Sequence, residues 1–588
     1  MSHSATASVF DREDWLVVAV FVAAMLAIIA YAMRGKARSG KDYFLAGRQS
    51  NWVQIGTSIF SSNIGSEHLV GLAGAGFASG MAMAHWEIQS WLILLLGWVF
   101  VPFYARINIF TMPEFLELRF SRGSRNMLSL LTIASLVLTK IAVTIYAGDV
   151  VVRTLLGIDS VSLFGVRLDI FWAIALGLAL TTGVYTVLGG LRVILYTAVL
   201  QAPVLILGSL CILYTGLRAL GHGSLLEGWR AMLVAAGANA HLIRPLSDPD
   251  WSWAAVLPGS AIIGFWYWCT DQYIVQRVLA GKNQSESRRG TILAAFLKLT
   301  PVFIFLIPGM IAFGLTRAPR SGFTTSGDAA YTSLVAQILP HGLRGMVACS
   351  MIVALMASLA SKFNASATLV TMDFFRERFP HASGRAEVIV GRLATVAIVG
   401  LGICWVLVIK SLHSDLYVYL QSVQGYLSPA IAVLFVLGVF WRRASAPAAF
   451  WAFLLGIAGG FARLAADLAM RNDGTRVTSL KEQLYSHAIT PAQYAAAIAP
   501  VRARHGVLFD FWDIHWLYYS QILLIVTAVV MIVGSFATAP PDPRTARFTW
   551  YGATAAERAA TRASWSGVDV ALSVIVLAIV IAFYVVFW

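Results

Sequence analysis

Stretch after stretch of this sequence runs for about twenty residues without a charge, as at residues 15–33 and 570–588. Each is as long as a helix must be to cross a hydrocarbon layer about 30 Å thick. Such runs are membrane spans rather than core helices, and composition agrees: 58% of the 588 residues are hydrophobic and 12% are charged. That charged share is about half of what a soluble domain carries, too little to keep a globule of this size in water. The sequence therefore predicts an all-α membrane protein.

Apolar runs beginning near residues 15, 52, 82, 127, 168, 193, 254, 291, 341, 386, 416, 446, 515 and 570 give about fourteen candidate helices. Lys and Arg test that register, because cytoplasmic loops are enriched in them. The segment after the first helix carries Arg34, Lys36, Arg38, Lys41 and Arg48, and every second loop repeats the bias, as at Arg192, at residues 282–289 and at Arg442 with Arg443. An even number of helices then puts both termini outside the cell, in a multi-pass protein of the plasma or inner membrane. Residues 1–14 lack the basic start and small-residue cleavage site of a secretory signal, so the first helix is expected to be retained. The formal charge of +14 is spread over short loops between spans and is read as topology-setting rather than as a nucleic-acid surface. Cys211, Cys269, Cys349 and Cys404 all fall in apolar segments without CxxC spacing, which suggests neither a disulfide frame nor a zinc site.

Two apolar segments five helices apart are interrupted by polar residues. The second helix contains Ser61-Ser62-Asn63-Ile64-Gly65-Ser66-Glu67-His68, and the seventh contains Trp266-Tyr267-Trp268-Cys269-Thr270-Asp271-Gln272. Unwound backbone at membrane depth is tolerable only where it lines a cavity, and a matched pair of broken helices points to an inverted-repeat transporter. The expected division is an external N-terminus, first extra helix and cytoplasmic loop (1–50), a first five-helix repeat (51–220), an external loop (221–253), a second five-helix repeat (254–441), and three more helices (442–588) with an external insertion at 471–514.

Inside the spans, Glu87 and Lys298 stand out, since a charge there costs several kcal/mol by insertion scales. They either mark a pathway or form a scaffold ion pair, and Lys298 could also snorkel to the cytoplasmic end. His68 fits a proton carrier, a hydrogen-bond donor or a partner for a freed carbonyl. Residues 354–366 are a run of small and hydroxyl side chains, suited either to close helix contact or to completing an oxygen cage for a hard cation. No metal-ligand set, nucleophile elbow or phosphate loop appears at functional spacing, so an enzyme is not expected.

The strings Ser62-Asn63-Ile64-Gly65-Ser66, Val70-Gly71-Leu72-Ala73-Gly74, Thr111-Met112-Pro113-Glu114, Trp266-Tyr267-Trp268-Cys269-Thr270-Asp271-Gln272, Leu297-Lys298-Leu299 and Thr371-Met372-Asp373 resemble the sodium/solute symporter family, in its sodium/glucose cotransporter branch. The resemblance runs from about residue 42 to 441. It implies a LeuT-like five-plus-five inverted repeat that alternates access around a central sugar site. Carried over residue by residue, it implies substrate contacts at Asn63, His68, Glu87, Ser90, Tyr267, Trp268, Lys298 and Gln421. It implies an outer gate at Leu72, Trp86 and Tyr417, an inner barrier at Tyr267, and sodium at Ser61, Ile64, Ala354 and Ser358. The sequence departs from the family at three places. Gly264 stands where a hydrogen-bonding side chain is usual, opening one wall of the pocket. Ala357 lacks a sodium-binding hydroxyl. Ala198 and Ala360 replace the Asp and Thr of members that move a second sodium.

The function so implied is inward sodium-coupled symport of a monosaccharide of glucose or galactose type, one sodium per sugar, with Na+ as the co-transported ion and no organic cofactor. The alternatives are the same fold carrying myo-inositol or another polyol, and a sugar-gated sensor or leak without tight coupling. Expected partners are the sugar, sodium and the lipid bilayer, without nucleic acid.

Overall fold

The computed structural model describes residues 10–35, 37–65, 67–156, 160–163, 166–248, 250–318, 322–410, 416–485 and 488–588. Helices dominate them; apart from isolated bridges, the β-structure is a two-stranded antiparallel hairpin, Ser160–Leu163 with Val166–Asp169. Among the described residues, eleven continuous helical stretches are long and apolar enough to cross a membrane. The longest, Ile170–Leu220, turns at Gly190, where φ is +56° and ψ −151°. Only glycine adopts that backbone without strain, and a Cβ there would lie 2.4 Å from the Tyr43 carbonyl oxygen. The stretch is thus two helices joined by a corner.

The molecule is built inside out relative to a soluble protein. Trp15, Leu16, Leu401, Val533, Ile581 and many similar side chains face outward, whereas Glu87, Lys140, Asp271, Lys298 and Lys362 are buried. The outer side chains are solvated by lipid, and polar groups are confined to the interior where partners can be arranged.

The first polar interruption is a true break. An Asn51–Gln54 capping box starts Trp52–Asn63, which ends where Ile64 turns extended (φ −75°, ψ 116°). The chain resumes as a widened π-turn, Glu67–Leu72, and continues as Ala73–Ser79. The second break is built alike. Trp253–Phe265 widens into a π-turn at Trp266–Thr270, Asp271 is extended (φ −74°, ψ 128°), and its carboxylate caps Gln272–Leu279. Asn63 Nδ2 donates to the Tyr267 hydroxyl at 2.7 Å, which ties the two breaks to each other across the centre.

Helix Leu343–Leu369, which carries the hydroxyl run, packs against both the long bent helix and Trp52–Asn63. Away from the centre, the Thr111 and Asp373 motifs form one buried knot. Asp373 accepts from the Thr111 and Ser129 hydroxyls at 2.7 Å each and from Arg125 Nη2 at 2.8 Å. Gln272 Oε1 accepts from Met112 N–H at 2.8 Å and fastens the second break to the same knot. The insertion consists of three helices, Arg471–Tyr485, Pro491–His505 and Val507–Asp513, around a small core of Met470, Val477, Val501 and Phe509.

Candidate functional site

Between the two breaks lies a cavity lined by Asn63, His68, Glu87, Tyr267, Trp268, Lys298 and Gln421, together with Trp86, Ile263 and Gly264. Seven of the eight residues expected to contact substrate therefore meet at one place. The eighth does not reach it: Ser90 turns its hydroxyl away and donates to the Ala295 carbonyl at 2.8 Å.

Lys298 does not snorkel. Its ammonium is buried, pairs with Glu87 and donates to Asn63 Oδ1 at 3.1 Å. His68 Nε2 lies 3.2 Å from the same Glu87 carboxylate oxygen. The Lys298 ammonium also stands 5.3 Å from the centre of the Trp268 ring. The Tyr267 hydroxyl receives hydrogen bonds from both Asn63 and Tyr273. With these groups bonded to one another, the cavity measures about 30 Å³, room for a water or two.

The expected open wall at Gly264 is not there. A Cβ at that position would lie 2.3 Å from Gln89 Oε1, because the Gln89 side chain fills the room that the glycine leaves. Gln89 donates to the Ser260 carbonyl at 2.8 Å, which holds it in place. The amide missing from residue 264 is thus supplied from another helix.

Of the residues expected at the outer gate, Trp86 lines the cavity. It stacks on Trp516 (6.1 Å, 23°) and meets Trp251 edge-on (6.1 Å). Leu72 is fully buried and is not among the cavity residues. The side chain of Tyr417 lies outside the described residues.

On the other side of the first break, Ser358 sits against Gly65, the neighbour of Ile64: a Cβ on Gly65 would be 2.6 Å from Ser358 Oγ. That hydroxyl is buried without a hydrogen-bond partner among the described residues. Ala354 lies one turn earlier on the same helix. Ser61 Oγ reaches the Ala198 carbonyl at 3.5 Å. The Ser361 hydroxyl bridges the Ala357 carbonyl (2.7 Å) and the Ser62 hydroxyl (2.8 Å) and so closes the helices around this point.

Several buried charges next to the site were missed in the sequence. Lys140 pairs with Asp271 at 2.9 Å and lies within 5 Å of the centres of the Trp266, Tyr267 and Tyr273 rings. Glu67, also a cavity residue, faces Lys362 at 3.6 Å. Arg277 donates to the Ser58 and Ser62 hydroxyls at 3.1 and 3.0 Å, below the first break. The signal that singles out Glu87 and Lys298, a charge in an apolar run, was equally present at Lys140 and Lys362.

The family model of the sodium:solute symporter family matches residues 43–456. The chain is 35% identical over 567 residues to the sodium/myo-inositol cotransporter 2 of Oryctolagus cuniculus, covering 91% of this chain and 78% of the relative. It is 32% identical over 570 residues to the sodium/glucose cotransporter 4 of Danio rerio, covering 92% and 81%. Its fold is similar to that of a substrate-bound, outward-open Na+-coupled sialic acid symporter, with a TM-score of 0.68 at 19% identity over 91% of this chain and 99% of that one. The architecture is accordingly a LeuT-like inverted repeat in a multi-pass membrane protein, and homologues of this kind are cotransporters rather than enzymes. Paired helix breaks around a buried polar cavity are the working parts of a carrier, and with the family match over most of its length the chain belongs to the sodium:solute symporter family.

Proposed function

We propose that this sodium-coupled symporter carries a neutral polyhydroxyl solute inward, a monosaccharide of glucose or galactose type, with one sodium per sugar. The observation that carries the reading is the charge balance of the cavity. Glu87 is answered by Lys298 and Glu67 by Lys362, so no net charge is left to select an ion. What remains is a ring of carboxylate, amide and imidazole groups beside Trp268 and Tyr267. A sugar needs that combination: an aromatic face for its C–H surface and a partner for each hydroxyl, since a desolvated hydroxyl left unpaired costs about 1–3 kcal/mol.

In this reading sodium is held by Ser61, Ile64, Ala354 and Ser358, and the buried, unpartnered Ser358 hydroxyl supports it. Sodium favours the outward-open form. Substrate then closes the gate at Leu72, Trp86 and Tyr417, and the two broken helices rock against their scaffold until Tyr267 yields on the cytoplasmic side. Residues 51–220 and 254–441 are the two repeats. Residues 1–50 precede them, 221–253 and 471–514 are external, 442–588 supply three further helices, and both termini face outward.

A second reading, transport of myo-inositol or another polyol, is favoured by the names of the relatives. It gains nothing from Gly264, whose space Gln89 fills. Uptake of labelled glucose, galactose and myo-inositol into proteoliposomes, with and without an inward sodium gradient, separates the readings. Sodium-driven accumulation of a hexose is expected. Accumulation of the polyol alone favours the second reading, and uptake that never exceeds equilibrium removes the coupling.

A further inference from the structure

Glu67 differs from the other carboxylate of the cavity. Glu87 is bonded by both Lys298 and His68, whereas Glu67 Oε1 is buried with no hydrogen-bond partner among the described residues. Its counter-charge, Lys362 Nζ, stands 3.6 Å away, beyond hydrogen-bond range, and spends its own hydrogen bond on Thr144 Oγ1 at 3.1 Å. Lys362 is completely buried and Glu67 is 7% exposed. The charge of the carboxylate is thus compensated at Oε1 from the scaffold side, while the residue itself lines the cavity. A buried carboxylate accepts up to about four hydrogen bonds, and a buried acceptor without one is destabilising.

We propose that Glu67 is a substrate-binding residue, its carboxylate accepting a hydrogen bond from a substrate hydroxyl, and that Lys362 is the positioning residue that makes a carboxylate tolerable there. The inference rests on the reading of the protein as a carrier of polyhydroxyl solutes. A second sodium ion is the other ligand that a carboxylate would take, but the Lys362 ammonium already holds that place electrostatically and repels a cation brought to the same oxygen. The pair also ties substrate contact to the hydroxyl-bearing helix, since Lys362 lies one turn beyond Ser358.

The test compares the unmodified protein with Glu67→Gln/Lys362→Met, which removes both charges together, in sodium-driven uptake by proteoliposomes. The panel is the parent solute and its mono-deoxy analogues. For the double variant we expect KM to rise about tenfold or more, the loss of one hydrogen bond to a charged group. Maximal rate and sodium half-saturation should stay within about twofold. One deoxy analogue that the unmodified protein discriminates against should become nearly as good as the parent. Glu67→Asp, which keeps both charges but shortens the reach, should lose the same discrimination and carries the test if the double variant does not fold. Unchanged KM and unchanged deoxy penalties in both variants would overturn the assignment. A shift in sodium half-saturation at constant substrate KM would overturn it too, by giving the pair to the ion. If the unmodified protein accumulates no member of the panel, the underlying reading has failed, an outcome separate from a variant that behaves like its parent.

Discussion

Ser358 is the residue at which the sodium reading meets a single atom. Its hydroxyl makes no hydrogen bond among the described residues, so Ser358→Ala should leave the melting temperature nearly unchanged. If the hydroxyl ligates sodium, the same substitution should raise the sodium concentration for half-maximal uptake at least about tenfold. Unchanged sodium dependence would remove Ser358 from the site. Glu87 and Lys298 behave differently because each is the other's counter-charge. Breaking a buried pair from one side costs about 3–5 kcal/mol, so Glu87→Ala should abolish substrate uptake and lower the melting temperature as well. Glu87→Gln/Lys298→Met should recover most of the stability without recovering uptake, which separates binding from folding. These two residues were legible in the sequence because each is a charge in an apolar run. Their pairing was only one of the open readings, because the partners are 211 residues apart. Gln89 was invisible for the same reason: nothing local says that its amide fills the space beside Gly264, and only the packing of two helices makes them complementary. At Ser90 the structure adds a partner that the sequence did not show. Its hydroxyl has a carbonyl within reach on the adjoining helix, and residue type alone does not tell which way a side chain turns.

The elements that matter most are those that stop being regular. Both breaks were readable as polar interruptions, and each ends on one extended residue, Ile64 or Asp271. The π-turns beside them were not, since a widened turn has no composition of its own. The corner at Gly190 was read only as a gap between two apolar runs. Its backbone geometry makes the glycine obligatory, and Gly190→Ala should destabilise the protein by about 1–3 kcal/mol from strain alone. The close approach of the Tyr43 carbonyl adds to that cost. The check is thermal unfolding in detergent, with substrate KM in the surviving fraction expected near that of the unmodified protein, because Gly190 is not among the cavity residues. The insertion offers a pH test of its own. The His505 hydrogen bond, with Arg504 beside it, holds the Asp473 carboxyl below the usual carboxylate range. A depressed carboxyl stabilises above its unfolded value and loses that contribution as pH falls through its folded value. Protection of the amides in Arg471–Tyr485, taken relative to the intrinsic exchange rate at each pH, should therefore fall below about pH 4, and Asp473→Asn should remove that pH dependence.

For the whole molecule, the decisive quantity is how many charges cross with each solute. Alanine at 198 and 360 removes the side chains that the resemblance associates with a second ion. Three pairs of buried charges stand around the cavity, Glu87 with Lys298, Glu67 with Lys362 and Asp271 with Lys140. On the proposed stoichiometry, a carrier loaded with a neutral solute moves one net positive charge, that of sodium. Carrying one charge across 100 mV releases about 2.3 kcal/mol, and a tenfold sodium gradient adds about 1.4 kcal/mol. Together they set a ceiling of a few hundredfold on solute accumulation, while two sodium ions would set its square. The two limits lie far enough apart for a steady-state measurement to choose between them. Proteoliposomes with a potassium diffusion potential of 100 mV and a tenfold sodium gradient should stop accumulating solute below about 10³-fold, and the limit should fall to about tenfold when the potential is collapsed. Accumulation that continues past 10³-fold would require a second ion.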